Sequence, residues 1–321
     1  MCKRASRGAN VLLTQCSNCK KNENILFVTD PTGCEVAMAM WSASIDFPNR
    51  TLIMMNEREM HGENPNMIVA KAMSSADVIF ACTKYSLFHS DARKDAVKRG
   101  ARFVNMADYD LAMMESGGIF CDYEKERVRC AAVAEMLRGG NILKITTDLG
   151  THLTCSITGR EPKDQYGVSL EPGDSSSPPD IECATCAVEG TAEGVVYIDA
   201  SIPHPELGLI TEPIKLVIKK GLVESVSGGK QAEILNKVLK ECNDNAVYNV
   251  GEIGIGINSS GILNGRMLSD EGCGGTVHLG LGDNRGFGGI VSSPYHLDLI
   301  FHKPTITVDG KVVINNGEIV M

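Results

Sequence analysis

The apolar positions of this chain come in two rhythms. In the first, short continuous apolar runs alternate with stretches spaced for a helix. NILFVTD (residues 24–30) reads as a buried strand ending at DPTG, and CEVAMAMWSASI (34–45) as the helix after it. RTLIMM (50–55), DVIFAC (77–82) and RFVNM (102–106) repeat the strand pattern, and residues 66–75, 91–99 and 125–138 the helical one. Strands joined by short loops and helices predict an open, mostly parallel sheet. Around residue 140 the texture changes. Residues 141–147 and 152–157 read as strands across a DLGT turn, followed by strands at 194–199, 214–218 and 222–226 and a helix at 231–242. The chain ends in strands between 306 and 320, with turns at Asp309-Gly310 and Asn316-Gly317. Hairpins in place of crossovers predict a β-rich α+β domain. The expected fold is therefore an α/β domain over residues 1–140 and a β-rich α+β domain over 141–321.

A length of 321 residues suits two such domains. A formal charge of -9 argues against a nucleic-acid binder, which needs a basic surface. No apolar run has the length of a membrane span, and the basic N-terminus, where VLL is too short for an h-region, lacks a signal peptide. The expectation is a cytoplasmic protein whose partner is a small molecule. Twelve cysteines and fourteen methionines are compatible with a reducing, anaerobic setting. Two CxxC pairs, Cys16/Cys19 and Cys183/Cys186, offer a structural zinc or iron–sulfur site if paired across the fold; neither lies in a compact ribbon.

The densest chemistry lies in DEGCGGTVHLGLGDNRGFGGIVSSPYHLD (270–298). If His296-Leu-Asp298 is a strand, its period of two puts both side chains on one face. His278 on a neighbouring strand would complete a 2-His-1-carboxylate face with open positions, which suits iron(II) and, less selectively, manganese or zinc. The alternative is a core histidine and a strand edge with a turn aspartate. Two further carboxylates are placed to join. Glu182 closes a polar loop, and Glu252 stands in GEIGIGIN, where alternating glycines permit close approach. Glu271 reads as a surface or capping group, and His61, His204 and His302 have no company that singles them out. In the first half, Tyr85 and His89 follow the strand at 77–82, at the sheet end where ligands gather; alternatively this is a surface loop in which Ser90 caps a helix.

NILFVTD (24–30), LFHSDAR (87–93), Glu182 with VEG (188–190), GEIGIGIN (251–258), GTVHLG (275–280) and HLD (296–298), in that order, resemble the thermophilic metallo-aminopeptidase superfamily. Within it the chain is most similar to the non-peptidase branch that contains 2,5-dihydroxypyridine 5,6-dioxygenase. In the peptidases, the resemblance implies that Glu182, Glu252, His278, His296 and Asp298 hold two metals and that a tyrosine shortly after the first histidine assists. The seven-residue step from His278 reaches Arg285 here, and no tyrosine stands between Leu279 and Pro294. In the dioxygenase branch, it implies one iron(II) held by His278, His296 and Asp298, with Glu182 and His89 facing the substrate.

The reading favoured is thus a mononuclear non-haem iron(II) dioxygenase that opens a hydroxylated N-heteroaromatic ring, with Glu182 or His89 moving the hydroxyl proton. An unshifted carboxylate is a weak base, which leaves room for the histidine. The alternative is a metal-dependent aminopeptidase or amidase in which Glu182 and Glu252 retain a second metal. A third reading, a binding protein that kept the fold and lost the metal, sits poorly with a complete ligand set. The resemblance also implies a homo-oligomer.

Overall fold

Ile25–Thr29 is buried at every position, as an apolar strand must be when both faces of its sheet are covered. In the structure, a computed structural model that describes residues 3–293 and 295–320, this strand lies between Arg50–Met54 and Val78–Cys82. Arg102–Asn105 and the short Ser175–Ser176 complete a five-stranded sheet whose pairings are all parallel. Leu26, Val28, Ile79, Ala81 and Phe103 pack with Val69 and Met73 of the helix Met67–Met73 and with Ala92 and Ala96 of Asp91–Lys98. On the alternate positions Phe27 stacks on Phe80 at 5.4 Å and meets Trp41 of the helix Cys34–Ala43 edge-on. The helix starts are fixed locally. Asn66 accepts from Ile68 N and Val69 N, and Ser90 from Arg93 N, caps that contribute about 1 kcal/mol each. Sequence patterning missed a helix at Lys3–Val11 that widens into a π-turn at Leu12–Cys16, burying Leu12, Leu13 and Cys16. Its one apolar cluster, VLL, is too brief to show a helical period.

The second half forms two sheets, both antiparallel throughout. One has eight strands, in the order Leu222–Ser227, Ile214–Lys219, Glu193–Ile198, His152–Ser156, Ile142–Thr146, Thr305–Val308, Lys311–Asn315, Glu318–Ile319. Asp309-Gly310 and Asn316-Gly317 turn its last strands with positive φ at both residues, the geometry of a two-residue hairpin. The other sheet has seven strands and carries the candidate site. It runs Gly208–Leu209, Ser201–Ile202, His296–His302, Thr276–Gly282, Val250–Gly256, Glu182–Thr185, Lys163–Gln165. One parallel and two antiparallel sheets with flanking helices make the protein mixed α/β.

The chain divides into two compact units that follow the sequence differently from a break at 140/141. One is Met1–Tyr123 with Tyr166–Asp180, and the other Glu124–Gln165 with Ile181–Met321. The helix Tyr123–Leu137 explains most of the difference. Its Glu126 accepts from Ser259 N and Oγ and its Cys130 donates to Glu182 O, so its contacts belong to the second unit. Residues 166–180 return to the first unit because Ser175–Ser176 pairs with Arg102–Asn105.

Candidate metal centre

The period of two decides what four adjacent strands of the seven-stranded sheet present. Ile253, Ile255, Val277, Leu279, Leu281, Leu297 and Leu299 are buried on one face. The alternate positions carry Glu252, His278, His296 and Asp298, and Glu182 begins the next strand opposite Gly256. Glu182 is therefore a strand residue, 3% exposed, and not the end of a polar loop. Glycines fill the positions between the charged groups for a steric reason. A methyl at Gly254 would lie 2.0 Å from His278 Nε2, and one at Gly280 2.7 Å from both Glu252 Cβ and His296 Cε1. The alternating glycines of GEIGIG and HLGLG leave the room in which the ligand-type side chains converge.

His278 Nε2 lies 3.3 Å from Glu182 Oε2, 3.6 Å from Glu252 Oε1 and 4.0 Å from Asp298 Oδ1. His296 Nε2 lies 2.9 Å from Glu252 Oε2 and 3.2 Å from Asp298 Oδ1. The atoms form two overlapping groups, Glu182/Glu252/His278 and Glu252/His296/Asp298, each within 4.8 Å. Glu252 is common to both and sits between the two imidazoles.

The electrostatics are those of a site with surplus negative charge. Burial, reinforced by Glu252 and Asp298, pushes Glu182 up to about 7 against the pull of His278. Burial would depress His278, but contact with Glu252 and the charges of Glu182 and Asp298 outweigh it and lift the imidazole to about 10. His296 is likewise raised well above its ordinary value, its desolvation outweighed by Asp298 and Glu252. Asp298, which burial alone would raise, is held below the usual carboxylate range by the His296 charge. Three carboxylates thus draw protons onto two histidines, and a divalent cation supplies the same compensation. Glu182 Oε2 and Asp298 Oδ1 are buried without a hydrogen-bond partner, as is His278 Nδ1. A group left so costs about 1–3 kcal/mol, more when charged. Nitrogen and oxygen donors of this mix fit a first-row divalent metal.

Other groups hold these side chains, and most carried no signal in the sequence. Gln165 Nε2 donates to Glu182 Oε1 at 2.7 Å, leaving Oε2 toward His278. His296 Nδ1 faces the Asp283 carbonyl at 3.1 Å, and Phe287 stacks over its ring at 6.1 Å. Glu271, expected at the surface or as a cap, is the C-cap of the helix Met267–Asp270 and is half-buried, and its carboxyl hydrogen-bonds Asp298. A lone glutamine, a backbone carbonyl and a loop phenylalanine have no spacing by which to find them.

Five of the six expected site residues therefore converge in one unit. The sixth, His89, belongs to the other. There it is exposed, in the turn before Asp91–Lys98, edge-on to Phe88 at 5.4 Å, and the cap expected of Ser90 is present. Tyr85 of the same loop meets His61 edge-on at 5.3 Å, and His61 Nδ1 accepts from Ser86 N. Among the described residues neither CxxC pair belongs to a ligand cluster. Cys183 is buried, its thiol pushed above the ordinary value by that burial. No described helix is long and apolar enough to cross a membrane.

A family model described as "NicX: 2,5-dihydroxypyridine 5,6-dioxygenase" matches residues 32–321. The 2,5-dihydroxypyridine 5,6-dioxygenase of Pseudomonas putida KT2440 is 25% identical over 265 residues, 79% of this chain and 74% of the relative. The solved structure of the 2,5-dihydroxypyridine dioxygenase from the same organism superposes with a TM-score of 0.79 at 21% identity, covering 99% of this chain and 97% of that one. AmpT from Thermus thermophilus superposes with a TM-score of 0.70 at 15% identity, covering 99% and 100%. Both structures share the fold.

Proposed function

From the premise that the chain belongs to the 2,5-dihydroxypyridine 5,6-dioxygenase family and is an enzyme with a dioxygenase function, we propose that it opens a hydroxylated N-heteroaromatic ring. The substrate proposed is 2,5-dihydroxypyridine or a close analogue, and the cofactor a single iron(II) held by His278, His296 and Asp298. The observation that carries the reading is the convergence of these three side chains on one face of adjacent strands, with buried acceptor atoms left unpaired. When bound, iron(II) supplies the redox chemistry by which an electron-rich ring reacts with O2; zinc or manganese fits the same donors without that chemistry.

The chain's own residues do the rest. Glu182 is buried beside His278, with its Oε2 left without a hydrogen-bond partner, so it is placed to accept a proton from a bound ring. Gln165 fixes its Oε1 and leaves Oε2 to take the ring-hydroxyl proton. The part proposed for His89 is to hold the substrate and share the movement of its hydroxyl proton with Glu182. The isoleucines and leucines behind the site face keep water from its rear. The same reading takes the enzyme to be cytoplasmic and homo-oligomeric, acting on a small molecule.

Glu252 favours a second reading. Because it belongs to both donor groups, the five side chains suit a two-metal hydrolase as well. Against it stands Arg285 where the peptidases place their tyrosine. One experiment separates the two. Protein reconstituted anaerobically with iron(II) is given 2,5-dihydroxypyridine and 18O2. One O2 consumed per ring, with both labelled atoms in the opened product, is expected. Amide hydrolysis without O2 uptake, and no ring opening, would establish the hydrolase instead.

A further inference from the structure

The glycine-rich connection between Thr276–Gly282 and His296–His302 is tied down by one carboxylate that the proposed reaction does not use. Glu189 Oε1 accepts from Ile290 N at 2.8 Å and from Asn284 Nδ2 at 2.9 Å. Its Oε2 pairs with Arg160 Nη2 at 2.6 Å, and the side chains of that pair are only 12% and 25% exposed. Arg160 Nη1 reaches on to the Gly288 carbonyl, and Asn284 Oδ1 accepts from Val291 N at 2.8 Å. The connection is therefore fastened to Glu189 and Arg160 at Asn284, Gly288 and Ile290. What the fastened connection presents to His296 is the Asp283 carbonyl, 3.1 Å from Nδ1, and the Phe287 ring, parallel to the imidazole within 26°.

We infer that Glu189, with Arg160, is a positioning residue for the metal centre, holding the connection whose Asp283 carbonyl and Phe287 ring set the tautomer and the plane of His296. This rests on the reading of His296 as a metal ligand. An imidazole has one lone pair to give. With the proton kept on Nδ1 by a carbonyl acceptor, that pair lies on Nε2, the atom that faces Glu252 and Asp298. The stacked Phe287 opposes rotation of the ring about its Cβ–Cγ bond. Asp283 is held locally, its Oδ1 accepting from Arg285 N at 3.1 Å and its Oδ2 from Ser293 N at 3.2 Å, but the glycine-rich residues after it have many conformations open to them, and Glu189 and Arg160 restrain these. A carboxylate with charge-assisted hydrogen bonds to an arginine, a side-chain amide and a backbone N–H is an anchor of the required strength. His278, by contrast, has no such partner on Nδ1.

Glu189→Gln and Arg160→Met break the anchor from opposite sides, so either suffices if the other does not fold. Each is measured on purified full-length protein by amide hydrogen exchange at Ile290 and Val291 without metal, and by zinc affinity against a chelator well below Tm. Exchange should quicken at both amides, and zinc affinity should fall about 10- to 100-fold, the range for loss of a residue that orients a ligand. Faster exchange with unchanged zinc affinity would make the anchor merely structural and overturn the inference, as would no change in either. His296→Ala is the control. If it binds zinc as the parent does, the ligand reading itself has failed, an outcome distinct from failure of the anchor.

Discussion

Two buried aspartates, one in each unit, show how differently the two sheets use polar groups. Asp30 directly follows the parallel strand Ile25–Thr29 and is fully buried, yet both its oxygens are spoken for: Gly33 N donates to Oδ1 at 2.9 Å and Lys84 N to Oδ2 at 2.8 Å. Asp298 is almost as buried, but its Oδ1 has no hydrogen-bond partner and faces two histidines. The first closes a strand-to-helix turn. The second belongs to a group whose needs the protein alone does not meet. Burial and charge are common to both sites, and only the accounting of hydrogen bonds separates structure from function. The parallel sheet reinforces the contrast, because its strands Ile25–Thr29 and Val78–Cys82 are buried at every position, and the polar groups beside it, such as Asn105 with Ser86 and Ser177, are hydrogen-bonded to one another.

The largest effect that would break this comparison is at His296. His296→Ala should abolish retention of the metal and activity while circular dichroism and the unfolding midpoint of the metal-free protein stay near the parent's. A variant that keeps its metal would place Asp298 in the same class as Asp30. Gly254→Ala should be nearly as damaging to metal binding, since the added methyl meets His278 Nε2; metal titration is the measurement.

How much of this was legible in the sequence follows the same divide. The parallel strands and the His296/Asp298 pair were readable because apolar runs and a period of two are properties of consecutive residues. Glu182 was harder, since GDSSSPPD before it reads as loop, yet its strand, ECAT, is short and takes its order from pairing with Val250–Gly256. Glu252 was found, but not its place between both histidines. Gln165, the Asp283 carbonyl and the Glu271 contact with Asp298 depend on strands distant in sequence meeting in one register. The unit boundaries depend on a helix whose partners lie about fifty to more than a hundred residues onward.

Next in size, His89→Ala should lower turnover by about two to four orders of magnitude, the range for loss of an acid–base group, with metal content unchanged. Unchanged turnover would leave the proton work to Glu182 alone. Asp30→Ala should instead cost stability, about 1–3 kcal/mol for the two backbone donors left unpaired, with metal affinity intact by titration.

The smallest effect is graded with pH. His278 is raised to about 10 in the folded, metal-free protein, so the stability it contributes is full below its ordinary value of 6.5 and is lost as pH climbs toward 10. Glu182, raised from 4.5 to about 7, favours the protonated form, so its ionisation weakens the fold as pH rises through that interval. Metal requires neutral imidazoles, and affinity should therefore rise by about tenfold per pH unit for each proton displaced. The gain in Tm on adding metal should grow from pH 6 to pH 9. A constant gain would mean that no proton leaves the histidines.

The most direct test is the number of ions per chain. Protein purified without chelators or added metal, measured by elemental analysis and by anomalous scattering at the iron edge, should hold one iron, with His278, His296 and Asp298 around it. Glu252→Gln should leave that one ion in place. Two ions per chain, falling to one in Glu252→Gln, would contradict the mononuclear dioxygenase and establish the two-metal hydrolase in its stead.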